Sequence, residues 1–315
     1  MKHASLPGSA AESSRTHDEG FVAADGVRLH YLDWGGARAA LIFVHGLGDN
    51  PYIFTDLAPA FTSEFRVIAY ARRGHGRSEA KPPYDTETLT GDLCSLMDAL
   101  HIAKADLVGW SMGGNEITSM AARHPNRVRR IVYLDGAYDY ADPDAVRAIQ
   151  ETPPGLMEVS PTALASLTAY RSFQRKECFP HLDDIRKLDD YIRESVALMP
   201  DGRVKLKVHE IEGDLYKALM EDRPRDYSAV RCPALAIYAK HMLYPHAADP
   251  QRRSDSIAME QKHLAAFRER SIARVRRELR GVEIARVPGG HADFFLTSRD
   301  RVVSLMKRFF KDTDH

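Results

Sequence analysis

Four short runs, ALIFVH (40–45), RVIAYA (66–71), ADLVGW (105–110) and RRIVYLD (129–135), carry too few polar positions to leave one face in water. A strand with one wet face alternates polar and apolar residues, whereas a strand covered on both sides reads as a continuous apolar stretch. Segments of helical period separate these runs: Tyr52 to Thr62, Thr86 to Leu100 with its stripe Leu89, Leu93, Leu96, Met97 and Leu100, and Met112 to Arg123. The alternation predicts a doubly wound α/β fold with a mostly parallel sheet and helices on both faces. Ahead of it, FVAA and VRLHYLDW flank Asp25-Gly26, a turn signal that predicts an opening hairpin. The strand rhythm returns at PALAIYA (233–239) and VEIARV (282–287), and the chain closes on a helix from Arg299 to Phe310. Two hairpin strands, four runs and these last two make eight strands.

After Asp135 the rhythm is lost until Val230. Pro153-Pro154, Pro161, Pro180, Pro200 and Pro224 divide this stretch into several amphipathic helices. Residues 139–230 therefore read as a helical lid inserted after the sixth strand, with 21–138 and 231–315 forming one core domain. Residues 1–20 are small, polar and charged, lack the apolar core of a secretory signal, and read as a disordered tail. Ser254 to Arg280 predicts a long helix with the apolar stripe Leu264, Phe267, Ile272, Val275 and Leu279; its arginines read as a solvated face, the alternative being an anion-binding surface.

A chain of 315 residues, 44% of them hydrophobic, can bury a sizeable core. Lys+Arg and Asp+Glu both total 44, so no net field draws in a polyanion, and neither nucleic acid nor a membrane is an expected partner. No stretch approaches the roughly 18 apolar residues that cross a bilayer. Cys94, Cys178 and Cys232 are odd in number and form no CxxC pair, which points to reduced thiols and a cytoplasmic setting.

Chemistry enters at Gly109-Trp110-Ser111-Met112-Gly113, where a strand gives way to a helix. In that context G-x-S-x-G describes a tight turn that lifts the serine hydroxyl above a sheet, and the flanking glycines keep neighbouring backbone clear of it. A neutral hydroxyl is a weak nucleophile, so a base and an oxyanion site are needed. His45-Gly46-Leu47-Gly48 follows the strand ALIFV and suggests backbone donors, with the Leu47 and Met112 amides as candidates. Val287-Pro288-Gly289-Gly290-His291 follows the last strand at the same sheet edge, which makes His291 the candidate base among fourteen histidines. His75, in Arg73-Gly74-His75-Gly76, reads as support for the loop architecture.

HGLG, RRGHGRS, GWSMGG and PGGH, in this order and spacing, resemble the α/β-hydrolase superfamily across residues 21–310. The resemblance implies an eight-stranded sheet, a lid after the sixth strand, and a triad in the chain order serine, acid, histidine, with Ser111 and His291 in the outer places. The commoner family pattern puts the acid in a G-x-x-D turn after the strand at 233–239, but here the turn reads Ala239-Lys240-His241-Met242. A minority carries it at the end of the preceding strand, and Leu134-Asp135-Gly136-Ala137 is similar to the Leu-Asp-x-Ala pattern of such lipases. Asp135 is the candidate; the alternatives are Asp249 and Asp139, with Asp135 merely capping the start of the lid.

His209-Glu210 lacks the second histidine of HExxH, GHGRSE lacks the third glycine of a dinucleotide fingerprint, and no phosphate-binding P-loop occurs, so no metal or cofactor is expected. The expected activity is acyl transfer from an ester-like small molecule to water through an acyl-enzyme. GWSMGG also resembles cofactor-free perhydrolases and haloperoxidases, and carbon–carbon bond hydrolases share the site. Dehalogenases and epoxide hydrolases resemble this fold with an aspartate nucleophile in place of Ser111. A binding or receptor protein on the same fold is the remaining class. Tyr138, Tyr140, Tyr170 and Phe173 read as lid core.

Overall fold

The computed structural model describes residues 17–36, 39–140, 142–221 and 224–313. Among these residues ten strands form: β1 (Asp18–Ala24), β2 (Val27–Asp33), β3 (Ala40–Val44), β4 (Arg66–Tyr70), β5 (Ala105–Trp110), β6 (Val128–Leu134), β7 (Val196–Leu198), β8 (Val204–Leu206), β9 (Ala234–His241) and β10 (Glu283–Gly290). Eight of them make one sheet in the order β1-β2-β4-β3-β5-β6-β9-β10. The hairpin β1–β2 and its junction to β4 are antiparallel, and every other pair in that sheet is parallel. β1 begins at Asp18, inside the stretch read as a tail, and residues 1–16 lie outside the described residues.

The apolar runs form strands because both faces are covered. Along β3, Ile42 and Val44 join the cluster containing Leu93, Met97 and Ile117, while Leu41 and Phe43 join Phe54, Phe61 and Phe310 on the opposite face. Full burial of each such side chain contributes about 1.5–3 kcal/mol. The first face is covered by α1 (Thr86–Ala99) and α2 (Gly113–Arg123), together with helices introduced below. Asp85 accepts the Thr88 amide and so caps the first of these helices.

Tyr52 to Thr62 is not an α-helix but two 3₁₀ turns, Pro51–Phe54 and Ala58–Phe61. Pro59 would remove a backbone donor and clash with the preceding turn of a continuous helix. They still bury Ile53, Phe54, Leu57 and Phe61 against the sheet.

Between β6 and β9 lie α3 (Pro143–Gln150), α4 (Leu167–Phe173), α5 (Asp189–Glu194) and α6 (Glu212–Glu221), with short 3₁₀ and π turns. This segment also holds the antiparallel hairpin β7–β8, turning around Asp201-Gly202, which the helical reading overlooked. Beyond β9 the arginine-rich stretch is α7 (Pro250–Met259) and α8 (Ala265–Glu278), joined by a π turn at Glu260–Leu264. α9 (Phe294–Thr297) and α10 (Arg299–Asp312) complete the second face. The three cysteines are free and half-buried, and among the described residues no helix is long and apolar enough to cross a membrane.

Candidate active site

The strand order reverses direction between β3 and β5, which lie side by side with β4 and β6 on their outer edges. In an open parallel sheet, ligands bind beyond the carboxyl ends of the strands at such a point. The loop from His45, the turn at Ser111, Asp135 and His291 each follow the carboxyl end of a strand: β3, β5, β6 and β10 respectively.

Ser111 adopts φ 53° and Asp135 φ 46°. This left-handed region costs a non-glycine residue on the order of 1–3 kcal/mol, so neighbouring structure must impose it. The Ser111 amide donates to Leu134 O at 3.2 Å, and the Gly114 amide donates back to Ser111 O at 2.9 Å. A Cβ at Gly109 would stand 2.6 Å from Gly113 O, so strand end and helix start can pack this closely only without that side chain.

Ser111 Oγ lies 2.8 Å from His291 Nε2, and His291 Nδ1 lies 2.6 Å from Asp135 Oδ2. A carboxylate only accepts, so Nδ1 carries the proton and leaves Nε2 to accept from the serine hydroxyl. Asp135 is fully buried. Its Oδ1 accepts from the Tyr138 hydroxyl at 2.6 Å and from the Ala239 amide at 3.0 Å. Arg268 in turn donates from Nε to the Tyr138 hydroxyl at 3.1 Å and from Nη2 to Ala239 O. Three hydrogen bonds and a nearby guanidinium thus compensate a carboxylate withdrawn from water. The Trp110 indole donates to His291 O at 3.0 Å and fixes the histidine loop.

The two alternative acids sit elsewhere. Asp249 caps α7 by accepting the Arg252 amide at 2.8 Å, and Asp139 pairs with Arg274. The arginines of α7 and α8 are not simply a solvated face either, because Arg252 and Arg268 are buried. Arg268 had no signature in the helical pattern, since its target is brought to it only by the fold.

The loop after β3 is held by two buried histidines. His45 donates from Nδ1 to Gly46 O at 2.8 Å and accepts the Arg72 amide at Nε2. His75 donates from Nδ1 to Arg73 O and accepts the Gly48 amide at 3.2 Å. Burial, with the nearby Arg72 charge, holds His75 down to about 3, and burial with His75 and Arg72 holds His45 well below the usual imidazole range. Both are neutral, which lets each donate and accept at once. A Cβ at Gly46 would lie 3.1 Å from Ser111 Cβ and 2.9 Å from Asp49 Oδ2, so this loop abuts the serine directly.

Asp49 is a carboxyl that the sequence did not signal. It accepts from the Tyr191 hydroxyl at 2.7 Å. Burial pushes it up to about 7, against the Tyr191 bond and the fields of His291 and Arg72.

These groups open onto a cavity of about 1050 Å³. Leu47, Asp49, Ser111, Met112 and His291 form one side; α3 to α6 supply much of the rest. Tyr140, Tyr170 and Phe173 line the cavity rather than filling a separate lid core, and Tyr138 supports Asp135 instead. The Tyr140 hydroxyl is buried in the cavity beside Ser111.

Residues 39–241, more than half of the chain, match the family model of the alpha/beta hydrolase fold. The chain is 35% identical to a putative carbamate hydrolase of Caulobacter vibrioides over 113 residues, 34% of this chain and 42% of that one. It is 38% identical to a putative non-heme haloperoxidase of Mycobacterium phage D29 over 121 residues, 38% of this chain and 43% of that one. The match therefore spans less than half the length of these curated relatives. Among solved structures, E-2-(acetamidomethylene)succinate hydrolase superposes with a TM-score of 0.71 at 18% identity, covering 94% of this chain and 99% of that one. With its strand order, its serine turn and this match, the chain belongs to the α/β hydrolase fold family.

Proposed function

We propose that this chain is a serine hydrolase that cleaves an ester or related acyl bond of a small molecule through an acyl-enzyme. The observation that carries this reading is the continuous relay from Ser111 Oγ to His291 Nε2 and from His291 Nδ1 to Asp135 Oδ2, opening on a large cavity. Ser111 attacks the carbonyl carbon while its proton passes to His291 Nε2. The imidazolium so formed faces Asp135, which stays ionised. His291 then protonates the leaving oxygen as the carbonyl bond to it breaks. In the second half a water gives its proton to His291 and attacks the acyl carbon, releasing the acid and restoring Ser111.

The Leu47 and Met112 amides are our donors for the oxyanion, supported by the contact of the Gly46 loop with Ser111 and by both residues lining the cavity. Residues 139–230, which wall much of the cavity, act as the lid. The haloperoxidase relative supports one variant, in which peroxide rather than water takes the acyl group.

The test is labelling by a fluorophosphonate together with turnover of p-nitrophenyl acetate. Wild-type protein incorporates one label at Ser111 and hydrolyses the ester; Ser111→Ala does neither. Turnover by folded Ser111→Ala equal to wild type sinks the reading.

A further inference from the structure

Among the described residues the cavity wall carries three cationic side chains, Arg203, Lys205 and Arg252. Arg203 pairs with Asp201 at 2.6 Å and Lys205 with Glu210 at 2.7 Å. Arg252 differs. It is 8% exposed, and among the described residues it makes no ion pair. Its guanidinium makes one hydrogen bond, from Nη1 to Glu158 O at 3.4 Å, and its Nε is buried with no partner.

The head is instead held between two rings, 5.1 Å from the centroid of Phe173 and 4.6 Å from that of Tyr244. Its backbone is fixed by the Asp249 cap at the start of α7. Aromatic faces attract a cation but supply no acceptor in the plane of its N–H groups. A charge withdrawn from water without a counter-ion is destabilising, and a buried donor without an acceptor adds to that. The guanidinium is thus held between two rings, charged and with its buried Nε unsatisfied, on the wall of the chamber that also holds Ser111.

We propose that Arg252 binds a carboxylate carried by the substrate, so that the acyl compound cleaved at Ser111 is a monoanion with its charged end remote from the scissile bond. A planar guanidinium meets a carboxylate through two parallel hydrogen bonds, and the apolar groups lining the same cavity, among them Phe173, Met242 and Leu243, suit a hydrocarbon spacer. The cavity carboxylates of Asp49, Glu158 and Glu212 share the chamber, yet none is within ion-pair distance of this guanidinium. The inference rests on the serine hydrolase reading only for the position of the scissile bond.

Binding in the Ser111→Ala background tests it without relying on turnover. Calorimetric titration at pH 8 compares monomethyl esters of linear dicarboxylic acids, four to ten carbons long, with their dimethyl diesters. The expected result is that at one or two lengths the monoester binds tenfold or more tightly than the diester of equal length. Arg252→Gln abolishes that ratio, and Arg252→Lys, which keeps the charge but loses the fork, retains part of it; thermal melts establish that each variant is folded. If Arg252→Gln does not fold, the lysine variant set against its parent decides. Equal binding of monoester and diester at every length, no binding of either, or a ratio unchanged in the folded variants overturns the proposal. Failure of the hydrolase reading is seen separately, as wild-type protein that neither takes the fluorophosphonate nor hydrolyses p-nitrophenyl acetate.

Discussion

Asp135 divides its acceptors, giving Oδ2 to His291 and Oδ1 to Tyr138 and Ala239. An amide in its place would meet donors on every side, so the imidazole would turn to the wrong tautomer. Asp135→Asn is therefore expected to lower kcat on p-nitrophenyl acetate by about 10⁴-fold, as is typical of such triads. Asp249→Asn keeps an oxygen that accepts the Arg252 amide, and is expected to leave kcat near wild type and stability within about 0.5 kcal/mol of it in a denaturant titration. Asp49 yields a pH test. Its folded pKa of about 7 lies above its ordinary 3.8, so the stability present below pH 4 is lost as pH rises towards 7 and is constant beyond. On the proposed mechanism, its negative charge above 7 also opposes an oxyanion forming at the adjacent loop. Asp49→Asn should flatten the stability profile between about 4 and 7, and the variant-to-wild-type ratio of kcat/KM should climb through neutrality; a ratio independent of pH refutes this. Asp135 was reached through the resemblance of Leu134-Asp135-Gly136-Ala137 to the Leu-Asp-x-Ala pattern, once the turn at 239–242 offered no carboxylate. Asp49, Tyr138 and Arg268 were not, because what singles them out is burial and partners that residue order does not reveal.

The serine turn depends on close approach between the end of β5 and the start of α2. Gly109→Ala sets a methyl carbon 2.6 Å from Gly113 O, and such overpacking destabilises by about 1–3 kcal/mol. Differential scanning calorimetry should show Tm falling by about 2–4 °C for each kcal/mol; an unchanged Tm means that the turn relaxes without resistance. The elements that were legible are the strands whose continuous apolar runs are covered on both faces and the helices beginning at Thr86 and Arg299, whose apolar stripes each meet one sheet face. Those misread obey local chemistry instead. Pro59 tightens the 51–61 segment into 3₁₀ turns, and Asp201-Gly202 closes a hairpin too short to show alternation. The boundary of the last strand also moved, since β10 continues through Pro288 by way of an irregularity in its pairing with β9.

Across the whole molecule, the segment between β6 and β9 is tied to the core by polar contacts near the site. Arg77 links Glu19 of β1 at 2.6 Å to Glu194 of α5 at 2.8 Å, Lys207 joins Glu194 at 2.9 Å, and Asn50 donates to Tyr191 O at 3.0 Å. Partly exposed ion pairs contribute only about 0.2–1 kcal/mol each. Arg77→Met should therefore leave Tm almost unchanged while amide hydrogen exchange quickens in residues 189–207; equal exchange in both proteins would show that apolar packing alone holds the segment down. The relay itself draws on Ser111, Asp135 and His291, the last delivered by an edge strand that pairs only with β9. On the proposed mechanism, a ribosome-bound chain that has emerged as far as β9 owns the serine and the carboxylate during synthesis but nothing to take the serine's proton. If the proposed relay is the catalyst, hydrolytic competence arrives only once β10 has docked, and burst activity from stalled nascent chains of increasing length would read out the completion of folding in a single enzymatic step.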